Sequence, residues 1–179
     1  MDDLEKILEK ARNFDETALA TLAEEYYPAI FRYFYYRTSS REDAEDLTSE
    51  VFVRMIGAIK KQKGYFPAWL YRIARNLLTD YYRKKKTRRE ISLETMNIES
   101  IPDPKREDTA NLSPDEIKKI LELITPEQRE VIILKFLQGY SAEETAQILH
   151  KSVGAIKALQ FRAFVSLKEI LKREEGIQK

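Results

Sequence analysis

Three times in its second half the chain sets a hydroxyl residue three positions ahead of a glutamate or glutamine: Ser113-Pro114-Asp115-Glu116, Thr125-Pro126-Glu127-Gln128 and Ser141-Ala142-Glu143-Glu144. Each is a capping-box signature, in which the hydroxyl accepts from a backbone N–H of the first turn and the longer side chain returns to the cap's own N–H. Helices must therefore start at short intervals. Ser152 is placed to cap one more, Gly139 to stop the one before, and the His150-Lys151-Ser152 step has the length of a tight turn between two helices. With only 5 glycines and no alternation of β-branched residues along the chain, the other periodic segments also read as helices. The expected fold class is all-α.

The first half supports this. Leu4, Ile7, Leu8 and Ala11 form one amphipathic stripe, and an aromatic-rich segment from Ala18 to Tyr36 follows, expected to kink or break near Pro28. Its Tyr26, Tyr27, Phe31, Phe34 and Tyr35 are expected in a core. Ser39 with Glu42 has the capping-box spacing and opens a helix whose apolar face is Ala44, Leu47, Val51, Met55 and Ile59. A basic loop, Lys60-Lys61-Gln62-Lys63-Gly64, closes it. From Pro67 to about Lys84, Trp69, Leu70, Ile73, Leu77 and Tyr81 face inward, while Arg72, Asn76, Thr79 and Arg83 line another side. Between Thr87 and Asn111 the periodicity fades and Pro102 and Pro104 appear, the composition of a linker. Two small helical domains follow: an N-terminal bundle over 1–89 and a C-terminal helix-turn-helix domain over 113–179, joined by a flexible linker over 90–112.

Charge divides the chain more sharply than its net value of +1 suggests. Residues 1–50 hold 6 lysines and arginines against 13 aspartates and glutamates, and residues 51–89 hold 12 against 1. Residues 90–130 return to 5 against 11, and residues 131–179 to 8 against 5. The basic blocks suit a polyanion and the acidic ones a different partner. A single run such as Arg83-Lys84-Lys85-Lys86-Thr87-Arg88-Arg89 fits a solvated face equally well. The absence of cysteine excludes a disulfide scaffold, a thiolate metal site and a cysteine nucleophile, and fits a reducing cytoplasm. The acidic start, Met1-Asp2-Asp3, is unlike a signal peptide, and no long apolar run predicts membrane insertion.

Two constellations carry a possible function. Ser141 to Phe164 has helix-turn-helix spacing: Ala146 is small where helices approach, Leu149, Ile156 and Leu159 bury the junction, and Lys151, Ser152, Gly154, Lys157 and Arg162 are left for phosphates or base edges. Plain bundle packing gives a similar apolar pattern. The basic loop with Tyr65 and Phe66, followed by Arg72, Arg75 and Asn76, combines cations, aromatics and an amide, as a groove for single-stranded nucleic acid requires; the alternative is that both aromatics are core. Asp43, Asp46 and Glu50 share a helix face, but no histidine or second cluster completes a metal shell. The lone His150 falls in the turn, and no nucleophile or phosphate-loop motif accompanies it, so neither a cofactor nor an enzymatic reaction is expected.

These residues resemble a family, the sigma factors of bacterial RNA polymerase, in the small extracytoplasmic-function group that keeps two domains. Asp43-Ala44-Glu45-Asp46-Leu47-Thr48-Ser49-Glu50-Val51-Phe52 is similar to the family's polymerase-binding helix, and Phe66-Pro67-Ala68-Trp69-Leu70-Tyr71-Arg72-Ile73-Ala74-Arg75-Asn76 through Asp80 and Arg83 resembles its promoter-melting helix. Thr125 to Leu134, Glu144-Thr145-Ala146 and Ile156 to Ala163 resemble the helices that read the upstream promoter element. The resemblance implies a dissociable initiation subunit with no covalent chemistry of its own. Asp43, Asp46, Leu47, Ser49, Glu50 and Val53 would dock on the clamp coiled coil of the large core polymerase subunit, whose flap is a further contact. Lys60, Lys61, Lys63, Tyr65, Phe66, Arg72, Arg75, Asn76 and Arg83 would hold the melted minus-ten promoter DNA. Lys151, Ser152, Gly154, Lys157, Phe161 and Arg162 would read the minus-thirty-five duplex, and an anti-sigma factor would cover these same surfaces. Ser49 stands where the family generally has glutamine, and His150-Lys151 where it has glycine and an aliphatic residue. A stand-alone helix-turn-helix regulator that never touches polymerase is the competing expectation.

Overall fold

The computed structural model describes residues 3–91 and 112–177, and among them every regular element is helical. The first half consists of α1 (Asp3–Arg12), α2 (Glu16–Tyr35), α3 (Arg41–Ala58), a single 3-10 turn (Ile59–Lys61) and α4 (Phe66–Ile91). The second consists of α5 (Pro114–Glu122), α6 (Pro126–Ile132), a π-helical stretch (Ile133–Leu137), α7 (Ala142–Leu149) and α8 (Val153–Ile177). Most of the proposed linker, 92–111, lies outside the described residues. No helix among the described residues is long and apolar enough to cross a membrane.

The three capping boxes are formed in full, with the return bonds from Glu116, Gln128 and Glu144 in place. Two local expectations needed correction. α2 runs unbroken through Pro28, because Glu24, whose carbonyl loses its partner there, lies on the exposed face together with Pro28 and can turn to water. The cap of α3 is Ser40, which accepts from the Asp43 N–H at 3.1 Å, and not Ser39. The Ser39 hydroxyl is taken by the Tyr81 hydroxyl at 3.1 Å and by Lys85, both on α4, so the cap moves one residue on. α4 also continues past Lys84 to Ile91.

α2, α3 and α4 bury Leu22, Ile30, Phe34, Val51, Met55 and Leu70 between them, with α1 laid across α2 and the 3-10 turn. Each side chain of this size contributes about 1.5–3 kcal/mol when removed from water. Of the aromatics expected in this core, Tyr26 and Phe34 are buried and Phe31 and Tyr35 half-buried, whereas Tyr27 stays exposed and stacks on Phe52. In the second half, α6, α7 and α8 enclose Val131, Ile133, Leu134, Ile148, Ile156 and Ala163. α4 then packs on α7, joining the halves.

Candidate nucleic-acid interface

The 3-10 turn and the basic bend that follows it expose Lys60, Lys61 and Lys63, and the bend's backbone is held by a buried amide. Gln62 is 2% exposed, donating to the Gly64 carbonyl at 2.8 Å and accepting from Arg12 Nη2 at 2.6 Å. Gly64 takes φ +73°, a left-handed conformation that glycine enters without a Cβ penalty. Of the two aromatics that follow, Tyr65 is half-buried, while Phe66 is 1% exposed and meets Tyr26 edge-on with ring centroids 5.0 Å apart. Phe66 is thus a core residue in this arrangement, and among the side chains of the basic loop and its two aromatics only those of the lysines are exposed, with Tyr65 half-buried.

On α4, the spacing of Arg72, Asn76, Thr79 and Arg83 places all four on one exposed row, as the helical period requires. Arg83 pairs with Asp80 at 3.0 Å, an exposed contact that contributes little. On α3 a second row, Asp46, Ser49, Val53 and Ile56, is exposed and changes from acidic to apolar along its length. Val53 is 64% exposed, and with Ile56 it forms the apolar end of the row. Leu47 is half-buried, Asp43 accepts from the Tyr81 hydroxyl at 2.9 Å, and Glu50 pairs with Arg54 at 2.7 Å. No group of three or more His, Cys, Asp or Glu among the described residues is arranged to hold a metal ion.

In the second half, the turn between α7 and α8 is the one the spacing predicts. His150 sits at φ 52°, ψ 44°, and the Lys151 N–H reaches back to the Ala146 carbonyl at 3.0 Å. Ser152 accepts from the Ala155 N–H at 3.1 Å, capping α8. Ala146, Leu149, Ile156 and Leu159 are buried at the junction, leaving Ser152, Gly154, Lys157, Phe161 and Arg162 exposed on the outer face. Lys151 is half-buried and pairs with Glu127 at 3.2 Å.

Sequence reasoning missed a cluster that joins the two halves. Glu130 on α6 is 7% exposed, and its Oε1 accepts from the Tyr33 hydroxyl at 2.7 Å, with Arg75 Nε 3.1 Å away and Arg37 Nη1 at 3.3 Å. Arg37 has the Tyr33 ring 5.4 Å from its guanidinium carbon, while its Nε and Nη1 make no hydrogen bond. Burial, and secondarily the Glu130 charge, push the Tyr33 phenol well above its ordinary pKa, so it stays a donor. Further bonds cross the same seam. Tyr65 donates to Glu144 at 3.0 Å, Tyr71 to Gln138, Gln138 to the Ala29 carbonyl at 2.8 Å, and Tyr35 to Asp115. The Glu144 carboxylate is held below its ordinary range, first by the Ser141 N–H. No motif signals such pairs, since their members lie up to 109 residues apart.

The parts of the chain that carry these features match known proteins. A family model for Sigma-70 region 2 matches residues 22–88, and one for Sigma-70 region 4 matches residues 115–167. The ECF RNA polymerase sigma factor BldN of Streptomyces coelicolor is 37% identical over 175 residues, a match covering 93% of this chain and 65% of that relative. The chain therefore spans less than two thirds of BldN's length. The ECF RNA polymerase sigma factor SigX of Bacillus subtilis is 31% identical over 172 residues, covering 89% of this chain and 88% of SigX. Among solved structures, the sigma factor RpoE from Bartonella quintana, in complex with the anti-sigma factor NepR, is similar with a TM-score of 0.69 and 26% identity, over 86% of this chain and 96% of that one.

Proposed function

The chain belongs to the extracytoplasmic-function sigma factors of RNA polymerase, and from that premise we propose that it joins core polymerase, carries it to promoters and holds the opened strands there. The single observation that carries this reading is the separation of two exposed rows on adjoining helices. Asp46, Ser49, Val53 and Ile56 on α3 offer an anionic and apolar strip, whereas Arg72, Asn76, Thr79 and Arg83 on α4 offer cations and an amide. A protein surface is the natural partner of the first and a nucleic acid of the second. A stand-alone regulator has no use for the region spanning 22–88, and that competing expectation is set aside.

In this reading residues 1–89 form the polymerase-binding and minus-ten module, 90–112 the linker and 113–179 the minus-thirty-five module. Asp46, Ser49, Glu50 and Val53 dock on the clamp of the large subunit, with Asp43 and Leu47 supporting the helix from its flank. Lys60, Lys61, Lys63 and Tyr65 at the bend, and Arg72, Asn76 and Arg83 on α4, take the unpaired strand. Extruding a base costs on the order of a few kcal/mol, and a surface that accepts it once out of the stack offsets that cost. Opening is then trapped by binding, with no bond made or broken, so the protein acts without being an enzyme. α8 enters the major groove with Ser152, Gly154, Lys157, Phe161 and Arg162. Its template and its polymerase place it in the cytoplasm. An anti-sigma factor, as RpoE binds NepR, is the proposed inhibitor.

Co-elution with core polymerase tests the division of labour. Asp46→Lys with Glu50→Lys should abolish co-elution, while Lys157→Ala with Arg162→Ala should preserve it and weaken binding of upstream duplex DNA. Equal effects of the two pairs on both assays would overturn the reading.

A further inference from the structure

α1 lies before the segment that the Sigma-70 region 2 model matches, which begins at residue 22, yet it bonds directly into the basic bend. Its last residue, Arg12, donates from Nη2 to Gln62 Oε1 at 2.6 Å, and Nη1 donates to Glu5 on the same helix at 2.9 Å. Gln62 passes the constraint on, its Nε2 donating to the Gly64 carbonyl at 2.8 Å. The amide is 2% exposed, so its oxygen has no water to turn to and Arg12 is its hydrogen-bond donor. A third tie lies alongside: Lys60 Nζ is 4.7 Å from the centroid of the Phe14 ring, in the turn that leaves α1. The bend has no helix or sheet ladder of its own between Gln62 and Tyr65. A side-chain amide stands in for that ladder, and α1 fixes the amide.

We propose that Arg12 is a positioning residue for strand capture, holding the bend through Gln62 so that Lys61, Lys63 and Tyr65 meet an unpaired base in one geometry. The inference rests on the reading that this bend grips the melted strand. α3, the polymerase-binding helix of that reading, receives no bond from Arg12, so assembly and opening separate in the test.

The measurement uses holoenzyme assembled from core polymerase and the full chain, on a promoter selected from a duplex library by the wild-type holoenzyme. Opening is followed by 2-aminopurine fluorescence and assembly by co-elution. Arg12→Met should assemble within about twofold of wild type and lose roughly tenfold in open-complex formation, as expected when a charged donor leaves a buried acceptor unpaired. Arg12→Lys should recover most of that loss. Gln62→Glu keeps the acceptor for Arg12 and removes the donor to Gly64, so it should also open poorly. Normal opening by Arg12→Met, or by Gln62→Glu, overturns the relay. Joint loss of assembly and opening in Arg12→Met overturns it too, since that marks a role in folding. Failure of the wild-type chain to join core polymerase would instead sink the functional reading itself.

Discussion

Arg75 Nε lies 3.1 Å from Glu130 Oε1, so a cation expected at promoter DNA is bound within the molecule to a carboxylate 55 positions further along the chain. The carboxylate is 7% exposed and also serves Tyr33 and Arg37. In the proposed reading Arg75 therefore has two competing anionic partners, Glu130 within the molecule and a phosphate of the DNA. A buried carboxylate between two guanidinium groups is costly to form but costlier to break on one side only.

Glu130→Gln should loosen the seam between the halves, because the amide keeps an acceptor for Tyr33 and loses the charge that holds Arg75 and Arg37. The loss of one such contact, about 0.5–1.5 kcal/mol net, allows a rise in affinity for single-stranded DNA of up to roughly tenfold. Fluorescence anisotropy with a labelled oligonucleotide measures it, and small-angle scattering should report a larger radius of gyration. Unchanged affinity would show that Arg75 is not withheld from DNA by this pair.

Val53→Asp should weaken binding to core polymerase by about tenfold or more, as truncation of an interface anchor does. At 64% exposure the side chain touches little of its own chain, so the thermal midpoint should hold within the small range of surface substitutions, about 0.5 kcal/mol. Competition with the wild-type chain for core enzyme reads the first effect and calorimetry the second.

Asn76→Ala should slow open-complex formation while leaving holoenzyme assembly intact. Asn76 is exposed in the α4 row beside Arg72 and Arg83, and in the proposed reading its amide meets base edges. Permanganate reactivity of unpaired thymines is the direct measure; equal loss of assembly and opening would make Asn76 structural.

His150 occupies a left-handed conformation, φ 52° and ψ 44°, that costs a residue with a Cβ on the order of 1–2 kcal/mol. His150→Gly removes that cost and incurs about the entropy of a more flexible unfolded chain, so stability should stay level or rise slightly. His150→Val should lower it by about 1 kcal/mol or more, a β-branched residue being the poorest occupant of this region. Chemical denaturation of the three proteins should rank them glycine at or above histidine, and valine last.

Legibility in the sequence followed distance along the chain. The capping boxes at Ser113, Thr125 and Ser141 were readable because both partners of each bond lie within three residues. The tight turn at His150-Lys151-Ser152 and the buried junction of Ala146, Leu149, Ile156 and Leu159 were readable from helical spacing, whereas the left-handed conformation of His150 came from the structure. Even so, the cap of α3 was misplaced by one residue, since Tyr81 and Lys85 compete for Ser39 from another helix. The π-helical stretch at Ile133–Leu137 had no signal of its own.

By itself the sequence determined the helical class, the cap positions of the second half and the exposed rows on α4 and α8. Hydrogen bonds between near neighbours and the 3.6-residue period decide those matters within one or two turns. Tertiary structure alone decided that Phe66 sinks into the core, that Gln62 is wired to Arg12 and that Glu130 gathers Tyr33, Arg37 and Arg75. Such contacts depend on which buried polar groups find partners once remote helices meet, and a buried group's partner is chosen by proximity in space, which no local pattern encodes.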